Sequence, residues 1–106
     1  MKETTRHRLE LEYSVGSGKE EKRIQDLCSK LDHVLRGTGD GNEYSMWQKY
    51  GQEILLICFV NNADERWQEV RKLLDAEGLL EHATVWKDAD DIEYRIQLYP
   101  VEGEVR

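Results

Sequence analysis

From Arg8 to Val15 the chain alternates, with Leu9, Leu11, Tyr13 and Val15 apolar and Arg8, Glu10, Glu12 and Ser14 polar. A two-residue period predicts a strand with one buried face. Gly16-Ser17-Gly18 interrupts it, and Ser17 with Glu20 three residues later forms a capping-box pattern that opens a helix. Ile24, Leu27, Cys28, Leu31, Val34 and Leu35 then recur at three- and four-residue steps, which gathers them on one helical face up to about Arg36, and Gly37 supplies a stop. Tyr44 to Tyr50 mixes aromatic and polar residues in the manner of an edge strand. Ile54 to Val60 is a continuous apolar run of strand length and β-forming composition, as expected inside a sheet.

Asn62 with Glu65 repeats the capping geometry, and Trp67, Val70, Leu73 and Leu74 carry helical spacing through to Gly78. Ala83 to Lys87 and Ile92 to Tyr99 are strand-like, with Asp88-Ala89-Asp90-Asp91 between them. They form either one long, bulged strand or a hairpin. Two helices set between strands, with right-handed crossovers as the rule, place both helices on one face of an antiparallel sheet. The pattern predicts an α+β, ferredoxin-like two-layer sandwich in the order βαββαβ. At 106 residues the chain has length for one hydrophobic core. A single domain over residues 1–106 is expected, ordered from about 8 to 100, with frayed termini.

Charge narrows the range of partners. Of 15 basic and 22 acidic side chains, residues 1–36 hold 8 and 7 and residues 37–106 hold 7 and 15, so the acidity lies in the later two-thirds. A nucleic-acid binder needs a basic footprint to displace counterions, and none is present, which argues against DNA or RNA. A basic protein partner suits the acidity, although the same acidity also serves solubility. No apolar run reaches the roughly 18 residues of a membrane span, and Met1-Lys2-Glu3-Thr4-Thr5-Arg6 lacks the apolar core of a secretion signal, so a cytoplasmic location is expected. Cys28 and Cys58 each continue an apolar line and read as buried, reduced thiols.

The candidate chemistry is sparse. Gly37-Thr38-Gly39-Asp40-Gly41-Asn42 follows a helix, leads into a strand and lacks a phosphate-binding lysine, so it reads as a tight turn. Asp88, Asp90 and Asp91 do not match a calcium loop, and His7, His33 and His82 stand apart with no zinc motif. Neither cysteine has a base and an orienting group in its neighbourhood. No catalytic residue, metal ligand or cofactor is assigned, and the chain is read as a non-enzyme. The aromatics carry more: Tyr44, Trp47, Tyr50 and Trp86 lie on expected strands near Asp40, Glu43 and Asp88. Aromatic anchors beside charge are what protein interfaces use, so these seven residues form the expected partner-binding site; the alternative is that the rings fill the core.

Gly39-Asp40-Gly41-Asn42-Glu43 after the first helix, the apolar strand running into Asn61-Asn62-Ala63-Asp64, and the ending Leu98-Tyr99-Pro100 together resemble small bacterial ferredoxin-like proteins, some of them encoded beside secreted toxins. That resemblance implies an immunity protein, a stoichiometric inhibitor covering the active site of a cognate and basic toxin domain. A small-molecule-binding regulatory domain is the alternative, since such sandwiches often pair as homodimers through sheet edges. A small enzyme with an unrecognised carboxylate or histidine site is a third reading.

Overall fold

The computed structural model describes residues 7–37, 42–90 and 93–100. The expected frayed termini, most of the glycine turn with Asp40, and Asp91 and Ile92 lie outside the described residues. The elements are β1 (His7–Ser14), α1 (Gly18–Arg36), β2 (Tyr44–Tyr50), β3 (Glu53–Val60), α2 (Ala63–Ala76), β4 (Thr84–Ala89) and β5 (Ile96–Tyr99). They form an α+β fold with one five-stranded sheet in the order β2-β3-β1-β4-β5, every neighbouring pair antiparallel. Among the described residues no helix is long and apolar enough to cross a membrane.

The alternation in β1 becomes the core. Leu9, Leu11 and Tyr13 face the helices and stand opposite Cys58, Leu56 and Ile54 of β3, while Val85 of β4 lies on the far side of Leu11. Ile24, Leu27, Leu31 and Leu35 of α1 and Trp67, Val70 and Leu74 of α2 close over this surface in one continuous cluster. Each fully buried Leu or Ile removes enough apolar area from water to contribute about 1.5–3 kcal/mol. Both helices therefore cover the same face of the sheet, and the other face carries no covering element among the described residues.

Local signals explain the helix ends. The Ser17 hydroxyl accepts the Glu20 N–H at 3.3 Å, and the Glu20 carboxylate reaches back to the Gly16 N–H at 2.7 Å. That return bond lands one residue earlier than the usual capping box, which uses the cap residue's own N–H. Asn62 caps α2 by accepting the Glu65 N–H at 3.1 Å. At its far end Gly78 takes a φ of 72°, and the N–H groups of Leu79 and Gly78 donate to the carbonyls of Leu74 and Asp75. This pair of bonds is a Schellman ending, which needs a residue that accepts the left-handed conformation.

Beyond β4 the chain turns back as a hairpin rather than continuing as one bulged strand. β5 is shorter than the expected run from Ile92, because it pairs only over Ile96–Tyr99. Gln97 stands opposite Trp86 and Tyr99 opposite Val85, so Leu98 is the extra residue of a bulge. The bulge turns Tyr99 toward the helices, where its ring lies 6.3 Å from that of Trp67 with the Arg71 guanidinium 5.2 Å above it. Cys28 and Cys58 are buried and unbridged. Burial pushes both thiols up from their ordinary range.

Candidate functional site

The uncovered side of the sheet is the candidate site, and strand periodicity decides its membership. Tyr44, Met46, Gln48 and Tyr50 of β2 lie opposite Phe59, Ile57, Leu55 and Glu53 of β3, all on the side away from the helices. Arg8, Glu10 and Glu12 of β1 and Thr84, Trp86 and Asp88 of β4 continue that side across the sheet. The face is thereby divided. Its β2–β3 half is apolar and aromatic, with the Tyr44 and Phe59 rings stacked at 4.8 Å and 25°, and with Met46 38% and Tyr50 60% exposed. The Tyr50 hydroxyl hydrogen-bonds the Gln48 side-chain oxygen.

The β1–β4–β5 half is ionic. Arg8 donates to Asp88 at 3.1 and 3.2 Å and to Asp90 at 3.0 Å. Desolvation works against the Arg8 charge, but the two aspartates outweigh it and raise its pKa. Arg95 donates to Glu10 at 2.9 Å and lies 4.2 Å above the Trp86 ring, whose indole N–H donates to Glu12 at 2.9 Å. Its hydrogen bond to Glu10 leads the causes that raise the Arg95 pKa. Among the described residues, Arg8 and Arg95, with Arg36 5.8 Å from the Tyr44 ring at the edge, stand against the carboxylates of Glu10, Glu12, Glu53, Asp88 and Asp90, so these side chains keep a net negative charge after their internal pairing. Half-exposed pairs of this kind contribute only about 0–1 kcal/mol each to stability. They hold Trp86 and Arg95 in place more than they hold the fold.

The seven residues expected from sequence do not share one surface. Tyr44, Tyr50, Trp86 and Asp88 lie on the uncovered face. Trp47 points to the helix side at the sheet edge, 40% exposed beside Cys28, Ser29, Asp32 and Ser45, because odd positions of β2 face opposite to even ones. Glu43 is buried at 1% exposure: it accepts Arg66 Nε at 2.9 Å and Nη2 at 2.8 Å, and the Asn61 N–H at 2.8 Å. Those bonds fix the start of β2 to the end of β3 and to α2, and leave Glu43 no surface for a partner. The hydrogen bond that Arg66 donates to Glu43 leads the causes that raise the Arg66 pKa. Asp40 lies outside the described residues. Met46 is inconspicuous in a mixed strand, and Leu55, Ile57 and Phe59 belong to a continuous apolar run that does not say which alternate residues the helices cover. Alternation marks Arg8, Glu10 and Glu12 only as polar positions and says nothing of their partners across the sheet.

A second concavity, about 380 Å³ in volume, opens at the end of the sheet between Tyr13, Glu20, Arg23, Glu53, Leu79 and His82. Three of its polar groups are engaged elsewhere: Tyr13 donates to the Leu79 carbonyl at 2.8 Å, Glu20 caps Gly16, and Arg23 donates to the Glu77 carbonyl at 3.0 Å. Burial pushes the Tyr13 pKa up, which keeps its hydroxyl a donor. Among the described residues no group of three or more His, Cys, Asp or Glu side chains is arranged to hold a metal. No family model matches the chain, and no curated protein or solved structure matches it either.

Proposed function

We propose that this chain is a protein-binding module whose uncovered sheet face seats a basic partner, and that it acts as a stoichiometric inhibitor of the immunity type, covering the active site of a bacterial toxin. The fold is read as ferredoxin-like: α1 links β1 to β2 and α2 links β3 to β4 around the run β2-β3-β1-β4, with β5 added outside. One observation carries the functional reading. An aromatic and apolar half-face lies beside a net-negative half-face, with neither covered by a described element. Aromatic anchors flanked by charge match the anatomy of protein interfaces, and the surplus of carboxylates selects a partner of opposite sign. The small-molecule reading has its place in the concavity by Tyr13 and His82, where Tyr13, Glu20 and Arg23 are committed to the fold.

The test is co-expression with a growth-arresting product encoded beside this chain. Growth is expected to return at equimolar expression, and Met46→Lys with Tyr50→Lys, at two exposed side chains of the face, is expected to abolish rescue while circular dichroism shows the fold retained. Association of the purified pair should slow as salt rises, because charges more than about 8 Å apart are screened at physiological ionic strength. Rescue that survives the double substitution would move the binding site off this face, and an association rate indifferent to salt would remove its electrostatic basis.

A further inference from the structure

The two edges of the sheet are built differently. β5 has four residues, contains the Leu98 bulge and runs into Pro100, three features that blunt an edge against strand addition. β2 has seven residues in unbroken register with β3, with neither proline nor acid among them. Its one charge, Lys49, is tied to Glu21 at 2.7 Å.

The hydrogen-bonding pattern shows which groups β2 offers. In an antiparallel ladder both backbone groups of a residue point to the same side, and the side alternates along the strand. The Val15 N–H donates to the Gln52 carbonyl at 2.8 Å, so the even residues of β3 bond to β1 and the odd ones to β2. Tyr44, Met46, Gln48 and Tyr50 therefore bond to β3, and Ser45, Trp47 and Lys49 turn outward. Ser45 agrees independently, since its N–H donates to the Asp32 carboxylate at 2.9 Å instead of to β3. Asp32 thus occupies one outward donor, while the outward groups of Trp47 and Lys49 meet no partner among the described residues.

We propose that this edge pairs with the same edge of a second copy of the chain, antiparallel about a two-fold axis at Gln48. Trp47 exchanges both backbone hydrogen bonds with Lys49 of the second copy, and Lys49 with its Trp47. Ser45 keeps Asp32, and two five-stranded sheets become one. The register is self-complementary: Gln48 meets Gln48, Met46 meets Tyr50 and Trp47 meets Lys49, with no like charges opposed. The strand has no acid of its own, and the two carboxylates that reach this edge, Glu21 and Asp32, are each held by a cation, Lys49 and Arg36, so for a chain of net charge −7 a second copy can approach here at low electrostatic cost. The same two-fold brings the apolar halves of the two uncovered faces side by side. The pairing goes beyond the proposed inhibitor function and does not rest on it.

Sedimentation equilibrium of the purified protein tests it, with association expected from the 12.5 kDa monomer to twice that mass. Gln48→Glu and Gln48→Lys should each raise the dimer dissociation constant roughly ten-fold by placing like charges across the axis. An equimolar mixture of the two should restore association. Trp47→Pro, which removes an outward donor and leaves the β3 ladder intact, should abolish the dimer, while Ile57→Lys on the uncovered face should not. A wild-type monomer throughout the concentration range overturns the proposal, as does a dimer indifferent to residue 48 or a mixture that fails to restore it. A dimer lost on Ile57→Lys but kept in both Gln48 variants would assign the contact to the sheet face instead. Should Trp47→Pro fail to fold, the charge pair at Gln48 still decides.

Discussion

Replacing Glu43 tests the assignment of a carboxylate that looks functional in sequence to a structural role. In Glu43→Ala the Arg66 guanidinium loses two hydrogen bonds and its main counter-charge, and the Asn61 N–H loses its acceptor. Breaking a buried ion pair by removing one partner costs about 3–5 kcal/mol. Arg66 keeps 20% exposure and an ion pair with Glu69, so it can partly rehydrate, and the low end of about 3 kcal/mol applies. For a domain of this size that lowers the melting temperature by about 12 °C or more. Glu43→Gln retains an acceptor for Asn61 and should cost roughly 1–2 kcal/mol. Glu43→Leu combined with Arg66→Met should recover most of the loss, because an apolar pair of similar size can replace a buried ionic one. Urea unfolding of the four proteins, compared at constant m-value, gives the free energies directly. A Glu43→Ala cost under about 1 kcal/mol would refute the reasoning and return Glu43 to the candidate contacts.

Two further outcomes follow from the titratable groups. Burial opposes ionisation of Asp32, but the Ser45 N–H and Arg36 outweigh it and hold its pKa below the usual carboxylate range. A depressed folded pKa gives stability that is present above the unfolded value of about 3.9 and is lost as pH falls through the folded one. Asp32→Asn should therefore flatten the loss of stability below about pH 4, and melting curves that run parallel to wild type across that range would contradict it. Cys28 and Cys58, buried with raised pKa values, should react slowly with alkylating reagents in the native state and promptly in denaturant. Fast native labelling of either would contradict the burial of both thiols.

Elements whose determinants lie within a few residues were legible in the sequence. Alternation set β1, the cap pairs Ser17–Glu20 and Asn62–Glu65 set both helix starts, and Gly78 set the end of α2. Features decided by distant residues were not. Glu43 is buried by Arg66, 23 positions away, and Arg8 meets Asp88 across 80 positions. The bulge at Leu98 depends on the partner strand. The site was half legible: Tyr44, Tyr50, Trp86 and Asp88 share a face, and simple parity along β2 separates Trp47 from them.

The bulge at Leu98 has a bearing on how far assembly can run. If both edges of this sheet were as regular as β2, a copy bound at one side would present a fresh template at the other, and addition of β2 to β5 would propagate into an open-ended ribbon. With β5 short, bulged and turned inward at Tyr99, that second template is missing. Among the described residues β2 is the one regular edge, so the proposed pairing of β2 with β2 would consume it in each copy and would terminate at two rather than grow toward a fibre.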